Sequence, residues 1–171
     1  MRNRKTFICR RTATLSLVLL LAWPLRSSAG SPASSLQSDL QVSPDTLRIM
    51  FWNLENFFDY IDSGTSDSDR EFSARGERHW GKKKFQAKCA AIAKTLMWTG
   101  DREGRMPDVF AVAEVENRYV LRQLNEGTMI RKYGYQIVHY DSPDPRGIDV
   151  ALLYRPQSLE LLESRPVRVH G

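Results

Sequence analysis

The chain has 171 residues, 42% hydrophobic, 10% aromatic and 26% charged, with 10 Gly and 8 Pro; these proportions exclude collagen, coiled coil and wholesale disorder. Six of the 25 Lys and Arg lie within residues 1–29, which hold no Asp or Glu, so the rest carries 19 basic residues against 20 acidic ones. The net charge of +5 therefore belongs to the N-terminus and does not mark a nucleic-acid-binding body.

Basic residues from Arg2 to Arg11 precede an apolar run from Ala13 to Trp23, then Pro24 and the small residues Ser27, Ser28 and Ala29. This order is that of a secretory signal with its cleavage site, which places the protein outside the cytoplasm, periplasmic or extracellular. The apolar run is short for a spanning helix, which needs about 20 residues, so no transmembrane segment is expected after cleavage, an uncleaved anchor being the alternative. Cys9 falls in the signal and Cys89 is left alone, which excludes an internal disulfide framework. Residues 30–46, rich in Ser, Pro, Ala and Gln, read as a solvated leader, and residues 47–171 as the folded part.

Leu47–Trp52 is a run of β-formers that ends at the polar Asn53 and predicts a strand delivering its last residues to an edge or cleft. Asp62 to Gly76 has no periodicity and reads as a mobile loop. From Lys83, apolar residues at Phe85, Cys89, Ile92 and Leu96 predict an amphipathic helix with Cys89 on its buried face. The continuous apolar run Val109–Ala113 resembles a strand covered on both faces. Asn117 is placed to cap a shorter helix carrying Tyr119, Leu121 and Leu124. Tyr135–Tyr140 and Ile148–Tyr154 flank a turn-forming segment and are expected to pair antiparallel. Leu159–Leu162 and Val167–Val169 are candidates for a last pair of short strands. The alternation of strands and helices indicates an α/β layered domain.

Polar residues terminate three of these strands: Asn53-Leu54-Glu55-Asn56, Glu114-Val115-Glu116-Asn117 and Arg146-Gly147-Ile148-Asp149. Carboxylates and amides held at strand ends are a common way to build a site for a hard cation, and equally a common way to cap helices and pin loops. A further cluster of Arg75, Arg78, Lys82, Lys83, Lys84 and Lys88 beside Trp80 either steers a polyanion or forms a solvated face.

Phe51–Asp59, Pro107–Asn117 and Arg146–Arg155 resemble, in order and separation, three sequence blocks of the endonuclease/exonuclease/phosphatase superfamily. The resemblance implies a four-layer α/β sandwich with mixed β-sheet, and a metal-dependent phosphoesterase using Mg²⁺ or Mn²⁺. Its substrate would be a nucleic acid, an inositol phosphate or a phospholipid headgroup, with no stable protein partner. Glu114 matches the family's acidic metal ligand. Asn53 matches the amide that holds the metal site or orients the phosphate and the attacking water, and such an amide can donate to one and accept from the other. Glu55 stands where some members bring a second carboxylate to the metal and others only stabilise the site. Arg146 either offers its planar fork to phosphate or pairs with Asp144 or Asp149. Asp149 reads as structural and the role of Glu116 is open.

The family's reaction also needs an Asp-x-Asn pair after the third block and a Ser-Asp-His-like segment beyond it. Neither is found after Tyr154, where there is no Asp and His170 is the only His. The sequence therefore reads as the N-terminal half of such an enzyme, truncated before its second half and inactive by itself. A different class of reading is a non-catalytic exported binding module that reuses the fold.

Overall fold

The structure, a computed structural model, describes residues 7–8 and 46–167. The expected export signal and leader therefore lie outside the described residues, except for Phe7–Ile8 and Thr46. Strand β1, Phe7–Ile8, pairs antiparallel with β6, Glu160–Leu161.

The main sheet has four strands. β2 is Ile49–Phe57, β3 Val109–Val115, β4 Gln136–His139 and β5 Asp149–Tyr154, in the order β2-β3-β5-β4. β2 and β3 run parallel with Ile49 opposite Val109, whereas β5 is antiparallel to both β3 and β4. The sheet is thus mixed, and the fold is the expected α/β type. Parallel neighbours need a crossover, here supplied by α1 (Asp67–Glu71) and the 21-residue α2 (Lys82–Arg102).

One face of the sheet is covered. Phe110, Val112, Val115, Ala151 and Leu153 pack in a single core with Phe85, Cys89, Ile92, Ala93 and Leu96 of α2 and with Val120, Leu121 and Leu124 of α3 (Arg118–Glu126). Burial of each large apolar side chain contributes about 1.5–3 kcal/mol. Asn117 caps α3 as its position indicated, its side chain accepting from the Val120 amide at 3.1 Å. A 3₁₀ turn, Met129–Tyr133, follows and is closed by Gly134 at φ 64°. Among the described residues no helix is long and apolar enough to cross a membrane.

Three segments differ from their sequence reading. Val109–Ala113, expected to be covered on both faces, buries Phe110 and Val112 but leaves Val109, Ala111 and Ala113 half-buried on the other face. Asp62–Gly76 is not featureless, because α1 forms within it, capped by Ser66 and anchored by buried Asp69, which accepts from the amides and hydroxyls of Ser63 and Thr65. The apolar Leu159–Leu162 forms a strand only at Glu160–Leu161, whose partner is β1; residues 168–169 lie outside the described set.

The topology sets where chemistry can occur. Because β2 and β3 are parallel, their C-terminal ends lie together, and antiparallel β5 brings its N-terminal end to the same edge, with Asp149 opposite Val115. All three polar strand termini meet there. At the other end, buried Asp108 accepts from the Arg48 amide at 2.9 Å and the Ser158 hydroxyl at 2.6 Å, fixing the starts of β2 and β3.

Candidate metal centre

The converging edge is built on an irregular backbone. Glu55, Asn56 and Glu114 have φ of 53°, 57° and 59°, the left-handed region that side chains with a Cβ rarely enter. The pairing of β2 with β3 breaks between Asn53 and Phe57, and that of β3 with β5 between Ala113 and Val115. Such positions cost on the order of 1–3 kcal/mol each and persist where surrounding contacts over-determine them.

Those contacts are side-chain hydrogen bonds. Glu114 Oε1 accepts from Asn53 Nδ2 at 2.9 Å, and Glu114 Oε2 accepts from the Asn56 amide at 3.0 Å. Asn53 Oδ1 in turn accepts from the Glu55 amide at 2.8 Å, which fixes the orientation of the Asn53 side chain. Glu114 is thereby aimed by one donor on each oxygen, leaving further lone pairs on both. Glu55 is exposed, its amide tied to Asn53. Lys88 closes the other side. Its Nζ donates to the Glu55 carbonyl at 2.7 Å and the Asn56 carbonyl at 3.2 Å, and lies 5.8 Å and 5.6 Å from the Phe57 and Trp80 ring centroids. Burial lowers its pKa, against the opposing pull of the Glu55 and Glu114 charges.

Arg146 adopts the paired geometry of its two readings. Its Nε and Nη2 donate to the Asp144 carboxylate at 3.1 Å and 2.8 Å, on the exposed turn leading to β5. The bonds to Asp144 are the first cause of its raised pKa, and the Glu114 charge also contributes, so the guanidinium lies within electrostatic reach of the centre. Ser66 Oγ donates to the Arg146 carbonyl at 3.1 Å, joining this turn to the start of α1.

Glu116 sits apart from Glu114 and is nearly buried. It accepts from the Asp59 amide at 2.7 Å, and burial first, then the charges of Asp59 and Asp69, push its pKa up to about 8. A hydrogen bond with the Asp69 side chain favours the same protonated form. Asp149 is structural: Oδ2 meets His139 Nε2 at 2.8 Å and Oδ1 accepts from the Ser142 amide at 2.7 Å. His139, Asp141 and Asp149 bring ligand-type atoms within 4.8 Å of one another, but the first and last already engage each other and Asp141 is exposed.

The structure thus brings Asn53 and Glu114 into contact, ties the Glu55 backbone to Asn53 while its side chain is exposed, and holds Arg146 on the Asp144 carboxylate. The basic cluster divides: Lys82, Lys83 and Lys84 are exposed, whereas Lys88 turns inward. Asn56 reads from sequence as part of a strand-end cluster and Lys88 as part of the basic cluster, and neither reading places it at the centre.

As a donor set, a carboxylate aimed by an amide, with a second carboxylate exposed on β2, suits a hard, oxygen-preferring divalent cation. Mg²⁺ in particular is bound through one or two carboxylates while keeping several waters, so the residues present fit such an ion. A model of the Endonuclease/Exonuclease/phosphatase family matches residues 48–171 of this chain. No curated protein and no solved structure matches it.

Proposed function

The chain belongs to the endonuclease/exonuclease/phosphatase family, whose members are divalent-metal-dependent phosphoesterases, and on that premise we propose that it is an exported phosphoesterase, of nuclease or phosphatase type, whose metal is held at Glu114. The supporting observation is the Glu114 carboxylate itself, held in a left-handed backbone by Asn53 and the Asn56 amide where three strands converge. The signal-like residues 1–29 support export.

Roles follow from the geometry. Glu114 would be the principal ligand of Mg²⁺ or Mn²⁺, with Glu55 as the candidate second carboxylate. The cation supplies charge stabilisation to a phosphoester oxygen and acidifies water. Asn53, with one N–H on Glu114 and its oxygen on the Glu55 amide, keeps a second N–H for a phosphate oxygen. Arg146, with Nε and Nη2 on Asp144, keeps its Nη1 donors for a phosphate oxygen, which makes it a candidate substrate contact at the rim.

We further propose that these 171 residues alone hydrolyse poorly. Among the described residues, no three His, Cys, Asp or Glu close together around Glu114. Water attack also needs a base and the leaving oxygen an acid. The second reading, a non-catalytic binding module, draws on the same scarcity of His, Cys, Asp and Glu around Glu114 among the described residues.

The test is Mn²⁺ binding by calorimetry, with Glu114→Gln as the variant, alongside hydrolysis of an aryl phosphodiester. The reading expects Mn²⁺ affinity to fall at least about tenfold in Glu114→Gln. Equal binding by both proteins would remove the metal centre. Metal binding with no Glu114-dependent hydrolysis at all would favour the binding module.

A further inference from the structure

The Glu55–Asn56 peptide group is held at both ends. Its carbonyl, on Glu55, accepts from Lys88 Nζ at 2.7 Å, and its N–H, on Asn56, donates to Glu114 Oε2 at 3.0 Å. A cation, one peptide plane and the candidate metal-binding carboxylate are therefore connected in series. The register break places Glu55 and Asn56 outside the paired positions of β2 and β3. Their carbonyls must find other donors, since an unsatisfied backbone oxygen is costly. Lys88 serves both, sharing the Asn56 oxygen with the Phe58 amide at 3.1 Å.

We propose that Lys88 is a positioning residue of the metal centre, acting on Glu114 through the Glu55–Asn56 peptide. Two physical effects support this role. The ammonium compensates for the left-handed conformations at 53° and 57°, which would otherwise relax towards a regular strand and turn the Asn56 N–H away from Glu114. It also polarises the peptide, and hydrogen bonds in series strengthen one another, so the Asn56 N–H becomes a stronger donor to the carboxylate. The side chain is preorganised for this task by the Phe57 and Trp80 rings beside its ammonium, so little rotamer freedom remains to be lost. Lysines at the first turn of α2 are exposed and serve no such contact with the centre.

This inference rests on the reading of Glu114 as a metal ligand, but its structural part is separately testable. Lys88→Met removes the donor while keeping much of the stem, Lys88→Arg keeps a donor able to reach two carbonyls, and Lys94→Met removes one exposed charge from the same helix. Two quantities are measured on the full chain: Mn²⁺ affinity, and the amide proton shift and exchange of Asn56 without metal. The expected result for Lys88→Met is Mn²⁺ binding weakened about tenfold, in the range of outer-shell changes, with the Asn56 amide shifted upfield and exchanging faster. Lys88→Arg should restore much of both, and Lys94→Met should change neither. An unmoved Asn56 amide in Lys88→Met overturns the proposal, as does equal weakening of Mn²⁺ binding by Lys94→Met, which would reduce the effect to net charge. If Glu114→Gln leaves Mn²⁺ binding intact, the metal reading fails instead, and the Asn56 amide still decides whether Lys88 positions Glu114.

Discussion

Asn53 donates to Glu114 at 2.9 Å across two parallel strands, from a position 61 residues earlier in the chain. The same Asn53 side chain accepts from the Glu55 amide, so it bridges the left-handed segment of β2 to the bulge of β3. Removing it by Asn53→Ala should destabilise the fold by about 1 kcal/mol, the usual worth of one hydrogen bond. Asn53→Asp should do more, because it sets a second carboxylate against Glu114. A divalent cation would relieve that repulsion and stabilise the native state by mass action. Thermal melts should therefore show Asn53→Asp regaining much of its lost Tm on addition of Mn²⁺ and Asn53→Ala regaining less. Equal recovery by both variants would contradict a cation between these side chains.

Glu116 gives a pH dependence of definite sign. Its pKa is pushed up to about 8 from an ordinary value of 4.5, chiefly by burial, with Asp59 and Asp69 adding to the effect. Between those two pH values the native state holds a proton that the unfolded chain has released. Its contribution to stability therefore falls as pH rises from about 4.5 to about 8 and is flat above. Glu116→Gln mimics the protonated form: its oxygen can accept from the Asp59 amide and its NH₂ can face Asp69. The variant should raise Tm at pH 8 while leaving Tm at pH 4 nearly unchanged. Melts of both proteins across this range check the point, and parallel curves would refute it.

Much of the scaffold was legible because periodicity reports burial directly. The stripe Phe85, Cys89, Ile92, Leu96 became the buried face of α2, and the apolar run at Val109 became β3. Asn53 and Glu114 stood out only as polar residues closing apolar strands, and the roles expected of them came from the family resemblance. What escaped depended on side chains meeting across the fold. Nothing in the local pattern distinguishes Lys88 from Lys84, yet one reaches the β2 carbonyls and the other the Arg78 carbonyl. Asp69 lies in a stretch rich in Ser and Asp whose composition suggests a solvated loop, and four donors from Ser63 and Thr65 bury it instead. β2 also continues past Asn53 to Phe57, because Leu54 and Phe57 return to the core through the irregular segment.

Cys89 should be chemically silent in the native protein. It packs in the core against neighbours of α2, and burial pushes its thiol up to about 12. Reagents of this kind attack through the thiolate, which is then scarce at pH 8. Alkylation at pH 8 followed by peptide mapping should find Cys89 unmodified without denaturant and fully modified with it. Rapid labelling in the native protein would mean that α2 opens readily from the sheet.

The sheet face opposite the helices should govern how the protein associates. Ile49, Phe51 and Val150 are 53%, 68% and 69% exposed, and the register aligns Phe51 with Ala111 and Leu152 in one apolar row. A contiguous apolar sheet surface tends to pack against another surface or to aggregate. Substituting Phe51 and Val150 together by Lys should suppress concentration-dependent association in light scattering. The side chains replaced already face away from the core, so the melting temperature should change by only a few degrees. β2 leads from this face directly into Asn53, so the same double variant also asks whether whatever covers the face helps to hold the metal centre. Unchanged Mn²⁺ affinity together with reduced association would make the face a packing surface alone, and weaker affinity would tie its cover to the geometry of Asn53 and Glu114.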